Sequence, residues 1–398
     1  MSENQGAGGP VFQVEQKAGF ASRMLQYMVA VKFQSLVPGC RIANVMLPEW
    51  GIEHPPVESP GPVIAADQYH SIDLDELTER ARAGEGFRVV YSGLGRRLEN
   101  ILDVEACRGV FRSPAVAPLA FDERHLVCPI VAEDTPDDRG PFHPLTPVEF
   151  YAEVVAETGL TPVFVGQGAE DLYTERLRAQ FPTAQFAAAG NALGDFETIR
   201  QAKNIVVNVS TFSWLAAWLS HADRIFMPVN GVFNPQQYRL VDLLPLGDSR
   251  YRCTLFPINY AVAVERHAAA HRRIAPFWRP VSHDELRRLS HEPRRFEPSD
   301  AEILAAFDAE FYFATYPDVA GLVGSGNTEG ARAHYMLLGR NEQRLPFRLG
   351  QAWYAARYPM AAMEVAQGDY TSLAHHYIAV GRERGYRPLP NEGEPWWD

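Results

Sequence analysis

The chain has 398 residues, 46% of them hydrophobic and 22% charged, with a formal net charge of −12. That is more chain than one ordinary domain needs, with the composition of a folded globular protein. The acidic balance argues against general nucleic-acid binding, which requires a basic face, while leaving room for a local basic pocket.

Residues 1–10, MSENQGAGGP, are small and polar and read as a disordered tail; they lack the apolar stretch behind a basic start that marks a secretory signal. No run approaches the ~20 apolar residues of a membrane span, so the expected location is the cytoplasm. The four cysteines, Cys40, Cys107, Cys128 and Cys253, have no CxxC spacing. Cys128 and Cys253 sit in apolar runs and read as buried thiols, which fits a reducing compartment.

Residues 11–17 alternate apolar and polar and predict a strand. A small-residue turn at Gly19 leads into a helix from Arg23 to Leu36, stopped by Pro38-Gly39, and then a strand from Arg41 to Leu47. Strand, glycine turn, helix and strand open a parallel α/β unit. The proline-rich stretch 52–68 reads as a loop, 74–82 as a helix, 87–91 as a strand, 96–104 as a helix and 109–121 as a connection. A second series begins at His125: strands over 126–133, 162–166, 204–209 and 223–229, with helices over 147–158, 169–180, 194–202 and 212–221. That alternation predicts a second parallel sheet. A further helix is expected over 261–273.

After Pro280 the chain turns charged and proline-spotted, as in a linker, and then repeats itself. Tyr312, Tyr316, Pro317, His334, Tyr335, Gly339, Arg340 and Pro346 recur as Tyr354, Tyr358, Pro359, His376, Tyr377, Gly381, Arg382 and Pro388 at a constant spacing of about 42 residues. Each unit predicts one helix around YxxxYP, one around HYxxxGR, and a turn closing on proline. The aromatics suit the small core of each unit, and equally a surface for a sugar or a protein partner. The expected class is therefore α/β, with two Rossmann-like parallel-sheet domains (11–115 and 116–280), a linker (281–297) and a small helical repeat module (298–398).

The strongest chemical signal is the segment from Asn204 to Ser220, NIVVNVSTFSWLAAWLS. A buried strand ends at Ser210-Thr211 and a helix starts at once. Hydroxyls under a helix N-terminus suit a phosphate, through the dipole and free N–H groups, and Ser210 or Thr211 equally suits an N-cap. There is no HExxH, DxD or Cys/His cluster, and His267 with His271 lack a third ligand, so no metal site is expected.

VNVSTFSWLAAWLS resembles the NSTFSWW-type segment of bacterial α-1,2-fucosyltransferases and related enzymes. The opening AGFASRMLQYMVAVKF is similar to the family's GxGNxxxQY start, with Gly19, Gln26 and Tyr27 in register and Ser22 where asparagine is usual. FHPLTPVEFYAEVVAETGLTPVFVG resembles the segment after the family's first motif. The resemblance spans roughly residues 11–260. It implies a metal-independent GT-B-like glycosyltransferase using a nucleotide sugar, GDP-fucose first. The N-terminal domain would take the acceptor, a glycan or protein in bacterial surface-glycan biosynthesis, and the second domain the donor.

The sequence departs from the family at its first motif, HxRxGD, whose arginine is the main phosphate ligand there. Pro129 stands at the histidine position and Val131 at the arginine position, while the acidic end remains as Glu133-Asp134. Valine cannot offer an arginine's charge-assisted fork. Arg139 in the following loop, or Arg23 after the glycine turn, would have to supply the charge. A degenerate relative that binds a glycan, a nucleotide or a partner without turnover is the alternative.

On the transferase reading, Glu133, Asp134 and His143 are the candidate bases, all in or beside one loop after a strand. The donor would lie among Gly19, Arg23, Arg139, Asp195, Ser210, Thr211 and Ser213. Asp195 equally suits a helix N-terminal charge, and Arg200 a phosphate or a nearby carboxylate. The C-terminal units resemble FYxxxYPDVA…HYxxxGxxEGRxP repeats appended to bacterial surface-polysaccharide enzymes and secreted proteins, which implies a protein partner as one role for them.

Overall fold

The computed structural model describes residues 9–16, 19–57, 61–66, 72–112, 116–130, 143–166, 172–188, 190–238, 241–256, 278–291, 297–366 and 369–392. Strands β1 (Val11–Val14), β2 (Arg41–Ala43), β3 (Val45–Leu47), β4 (Ile52–His54), β5 (Val63–Ala66) and β6 (Arg88–Tyr91) form the first half. Four of them make a parallel sheet in the order β2-β1-β6-β5. The stretch 41–47 reads as one strand in sequence, but Asn44 breaks it at φ 59° and donates from its side-chain amide to Val14 O at 2.7 Å. β3 then turns away to pair antiparallel with β4. Both β4 and β5 lie in the stretch expected as loop.

Helix Phe20–Leu36 buries one face on this sheet through Met24, Leu25, Met28, Val29 and Phe33. Gln26, fully buried, donates to Glu15 O (2.9 Å) and Gly93 O (2.7 Å), tying together the chain just beyond the C-terminal ends of β1 and β6. Tyr27 meets His54 Nε2 at 3.2 Å. The helix expected over 96–104 begins later, at Val104–Val110, because Asp103 is its N-cap and accepts from Ala106 N at 2.9 Å.

The second sheet holds β7 (His125–Pro129), β8 (Thr161–Val165), β9 (Gln185–Ala187), β10 (Asn204–Val206), β11 (Arg224–Val229), β12 (Tyr251–Leu255) and β13 (Arg279–Val281). Its order is β13-β12-β11-β10-β7-β8-β9, parallel throughout except for β13. The expected α/β class with two parallel sheets is the one the chain adopts. Within 281–297, read as linker, the chain forms helix His283–His291, and Leu286 is fully buried in the main core. The helix expected over 261–273 lies outside the described residues. All four cysteines are buried and free, and burial pushes the Cys40, Cys107 and Cys253 thiols up to about 12.

Helix Thr211–Leu219 is buried from Ser213 onward, as a helix apolar on every side must be. It packs between the two sheets, against helices Phe20–Leu36 and Val104–Val110. Arg108 and Arg250 reach the carbonyls at its C-terminal end: Arg108 Nε donates to Leu219 O (3.0 Å) and Arg250 to Ser220 O (2.5 Å). The joint continues as a cluster of rings. Phe20 meets Phe196 and Phe212 at centroid distances of 5.3 and 5.9 Å, and Trp50 meets Phe111 at 5.4 Å.

The C-terminal helices from Asp300 onward have a core of their own. Most of the repeated residues have a geometric reason to recur. Tyr312 and Tyr354 hydroxyls meet His334 and His376 Nδ1 at 3.1 and 3.0 Å. Tyr316 and Tyr358 hydroxyls accept from Leu345 N (2.7 Å) and Arg387 N (3.0 Å), holding the closing turn. Pro346 and Pro388 carbonyls accept from Asp308 N (2.8 Å) and Gly350 N (2.9 Å), closing each unit on its own start. YxxxYP spans two short helices, Ala309–Thr315 and Pro317–Val323, with Pro317 at the first position of the second. A Cβ at Gly339 or Gly381 would overlap the Tyr312 or Tyr354 hydroxyl. Gly381→Ala is therefore expected to destabilise the module by ~1–3 kcal/mol, the range for overpacking. Limited proteolysis should then cut within 300–392 at protease levels the parent resists; unchanged resistance would contradict the packing argument.

Candidate ligand site at the switch point of the second sheet

β7 and β10 are parallel neighbours from which the chain runs opposite ways: β8 and β9 lie beyond β7, and β11 and β12 beyond β10. Such a switch point opens a crevice outside the carboxyl ends of the strands, where ligands of open α/β sheets bind. Here the crevice leads into a cavity of about 200 Å³. Its walls are the end of β7 (Pro129, Ile130), the segment after β10 (Asn208 to Ser210), the segment His143 to Thr146, and Tyr151 and Tyr173.

Asn208 organises the entrance. Its Nδ2 donates to Pro129 O at 3.2 Å and so joins the two strand ends. Its Oδ1 accepts from Ser210 Oγ at 2.6 Å, and its backbone carbonyl accepts from Ser213 Oγ at 2.9 Å. Ser210 is the N-cap of helix Thr211–Leu219, accepting from Ser213 N at 3.2 Å. Ser213 is fully buried, so its hydroxyl serves this bracing. The N–H groups of Thr211 and Phe212 lie in the first turn, where helix geometry supplies no acceptor. His143 completes the rim, its Nδ1 3.3 Å from Val209 O.

The far end of the cavity is a cluster of hydroxyls. Tyr173 donates to Thr146 O at 2.6 Å. The Tyr151 hydroxyl lies beside those of Tyr173 and Thr146. Yet neither Tyr151 Oη nor Thr146 Oγ1 closes a hydrogen bond of acceptable geometry among the described residues. Tyr151 is fully buried and Thr146 nearly so. Burial raises both phenols above their ordinary value, so both stay protonated donors. Among the described lining residues there is no Lys, Arg, Asp or Glu.

Of the residues singled out in sequence, Ser210, Thr211, Ser213 and His143 gather at this crevice. Gly19 lies across the joint, where Phe20 packs on Phe212. Arg23 is held elsewhere, 3.1 Å from Glu49 Oε1 and donating to Met46 O at 3.2 Å. Asp195 sits buried in the first turn of helix Ala192–Gln201. Arg200 pairs with Glu197 at 3.0 Å. Glu133, Asp134, Arg139 and Val131 lie outside the described residues. Sequence reasoning passed over Asn208, Thr146, Tyr151 and Tyr173. The signal for Asn208 was a lone amide inside the apolar run IVVNV; the other three are gathered only by tertiary structure. Among the described residues no group of three or more His, Cys, Asp or Glu could hold a metal ion, and no helix is long and apolar enough to cross a membrane.

No family model matches the chain, and no curated protein matches it. Among solved structures, that of a mutant of Arabidopsis thaliana FUT1 in complex with GDP aligns with 11% sequence identity and a TM-score of 0.36, over 56% of this chain and 71% of that one.

Proposed function

We propose that this chain is a metal-independent, nucleotide-sugar-dependent glycosyltransferase of the GT-B type. Its donor, a GDP-linked sugar with GDP-fucose first, binds at the β7/β10 crevice of the second sheet. The first sheet unit takes the acceptor, a glycan or protein of bacterial surface-glycan biosynthesis, on the cytoplasmic side. The observation that carries the reading is the Asn208 brace. It sets the first turn of helix Thr211–Leu219 over a switch-point cavity, within the segment that resembles the fucosyltransferases.

The Thr211 and Phe212 N–H groups and the helix dipole stabilise the leaving diphosphate. His143, whose Nδ1 faces Val209 O at the rim of the crevice, is one candidate base for the acceptor hydroxyl. Glu133 and Asp134 in the adjacent segment are the other candidates, and Arg139 is the candidate cation. The helical repeats would serve a protein partner.

The test is calorimetry with GDP, UDP and GDP-fucose. A micromolar response to one nucleotide is expected, and the double variant Ser210→Ala with Thr211→Ala should weaken it about tenfold, equivalent to ~1.4 kcal/mol. The cap itself contributes ~1 kcal/mol of stability, so the variant should remain folded. No response to any nucleotide would sink the donor-site reading.

One observation favours a second reading, a binder without turnover. Pro129 occupies the family's histidine position, and the described lining carries no cationic side chain. Nucleotide binding with no GDP release from the nucleotide sugar, across a panel of acceptors, would select it.

A further inference from the structure

We infer that the cavity behind the crevice receives an uncharged, hydroxyl-bearing ring, the sugar moiety of the donor, while the diphosphate stays outside at the helix terminus; this rests on the donor-site reading above. Its volume of about 200 Å³ falls below the ~300–1,000 Å³ of sites for drug-sized ligands, and so suits a single ring. Ile130 and Leu145 give it apolar walls for the C–H faces of such a ring. Thr146, Tyr151 and Tyr173 give it hydroxyls at one end.

The charge balance of the described lining disfavours a diphosphate in the interior. A buried anion needs a paired cation, and the described lining offers none. The hydroxyls argue for a polyol. Buried hydroxyls are almost always hydrogen-bonded, and an exception calls for a missing partner. Tyr151 Oη and Thr146 Oγ1 lie within reach of each other and of Tyr173 at one cavity, yet neither closes a bond of good geometry. A sugar hydroxyl, donor and acceptor at once, can bond to either whichever way its O–H is turned. Ordered water is the competing occupant.

The experiment compares GDP with GDP-fucose and GDP-mannose by calorimetry, and free L-fucose, D-mannose, D-galactose and D-glucose by saturation-transfer NMR. The proteins are the full chain, Tyr151→Phe and Thr146→Val. One nucleotide sugar is expected to bind at least tenfold tighter than GDP, and each variant should erase that increment while leaving GDP binding unchanged. Tyr151→Phe keeps the buried ring and removes only the hydroxyl, so it should remain folded, as circular dichroism checks.

GDP binding with no increment from the sugar, or an increment that survives both variants, overturns the ring assignment and leaves the donor site standing. Free-sugar signals lost in Tyr151→Phe, with no response to any nucleotide, sustain the ring assignment and overturn the donor reading. Silence from every probe overturns both and leaves water as the occupant.

Discussion

Trp214→Ala should lower the unfolding free energy by ~3–5 kcal/mol, the cost of emptying a fully buried indole site. Trp214 is 0% exposed and stacks on Trp218 at a centroid distance of 5.6 Å and an interplanar angle of 12°. Its Nε1 donates to Leu243 O at 2.7 Å, so the ring also fixes the segment that follows β11. Alanine removes the packing, leaves a cavity between the two sheets and strips the Leu243 carbonyl of that donor. Trp214→Phe should cost less, since it keeps most of the packing and loses the hydrogen bond. Urea denaturation followed by circular dichroism checks this: the midpoint falls for both variants, further for alanine. A shift under ~1 kcal/mol for Trp214→Ala would mean that this helix is not part of the cooperative core.

The second large effect lies at the joint. Glu197→Ala should cost ~3–5 kcal/mol, because it leaves Arg200 buried without its counter-charge. The pair is 3.0 Å apart, with side chains 0% and 7% exposed. Arg200 also donates to Phe111 O at 2.6 Å and lies over the Trp50 ring at 5.3 Å, so it reaches from the second unit into the first. Burial draws its guanidinium below the ordinary value, and the Glu197 carboxylate opposes that shift. Replacing both partners, Glu197→Leu with Arg200→Met, should recover most of the loss, since paired apolar groups carry no desolvation penalty. The same denaturation measurement decides it: a double variant no better than Glu197→Ala would mean that the arginine's other contacts, not its charge, dominate.

The second sheet was legible because buried parallel strands read as apolar runs punctuated by helices. Val163 to Val165, Ile205 to Val206 and Ile225 to Val229 needed no partner to be recognised. Of the strands missed, β5, β9 and β13 are sheet edges, β12 lies next to an edge, and β4 belongs to the separate two-stranded pair. β9 and β13 are three residues long and carry glutamine or arginine and proline, and β5 is four residues at the end of a proline-rich stretch, so composition gives them little signal distinct from loop. The helix at Val104 was misplaced because the apolar period ran through Leu98 and Ile101, although Asp103 three residues before Ala106 is a cap signature. At the site, the strand-to-helix step at Ser210 was visible as a local pattern. Its coupling to Asn208, and the meeting of Thr146, Tyr151 and Tyr173, depend on which strands become neighbours, and no local pattern encodes that.

The rings of Phe20, Trp50, Phe111, Phe196 and Phe212 fill the space where two hinged halves would otherwise part. Separating them would wet several aromatic faces and the Glu197–Arg200 pair at once, so opening the joint would carry the cost of both.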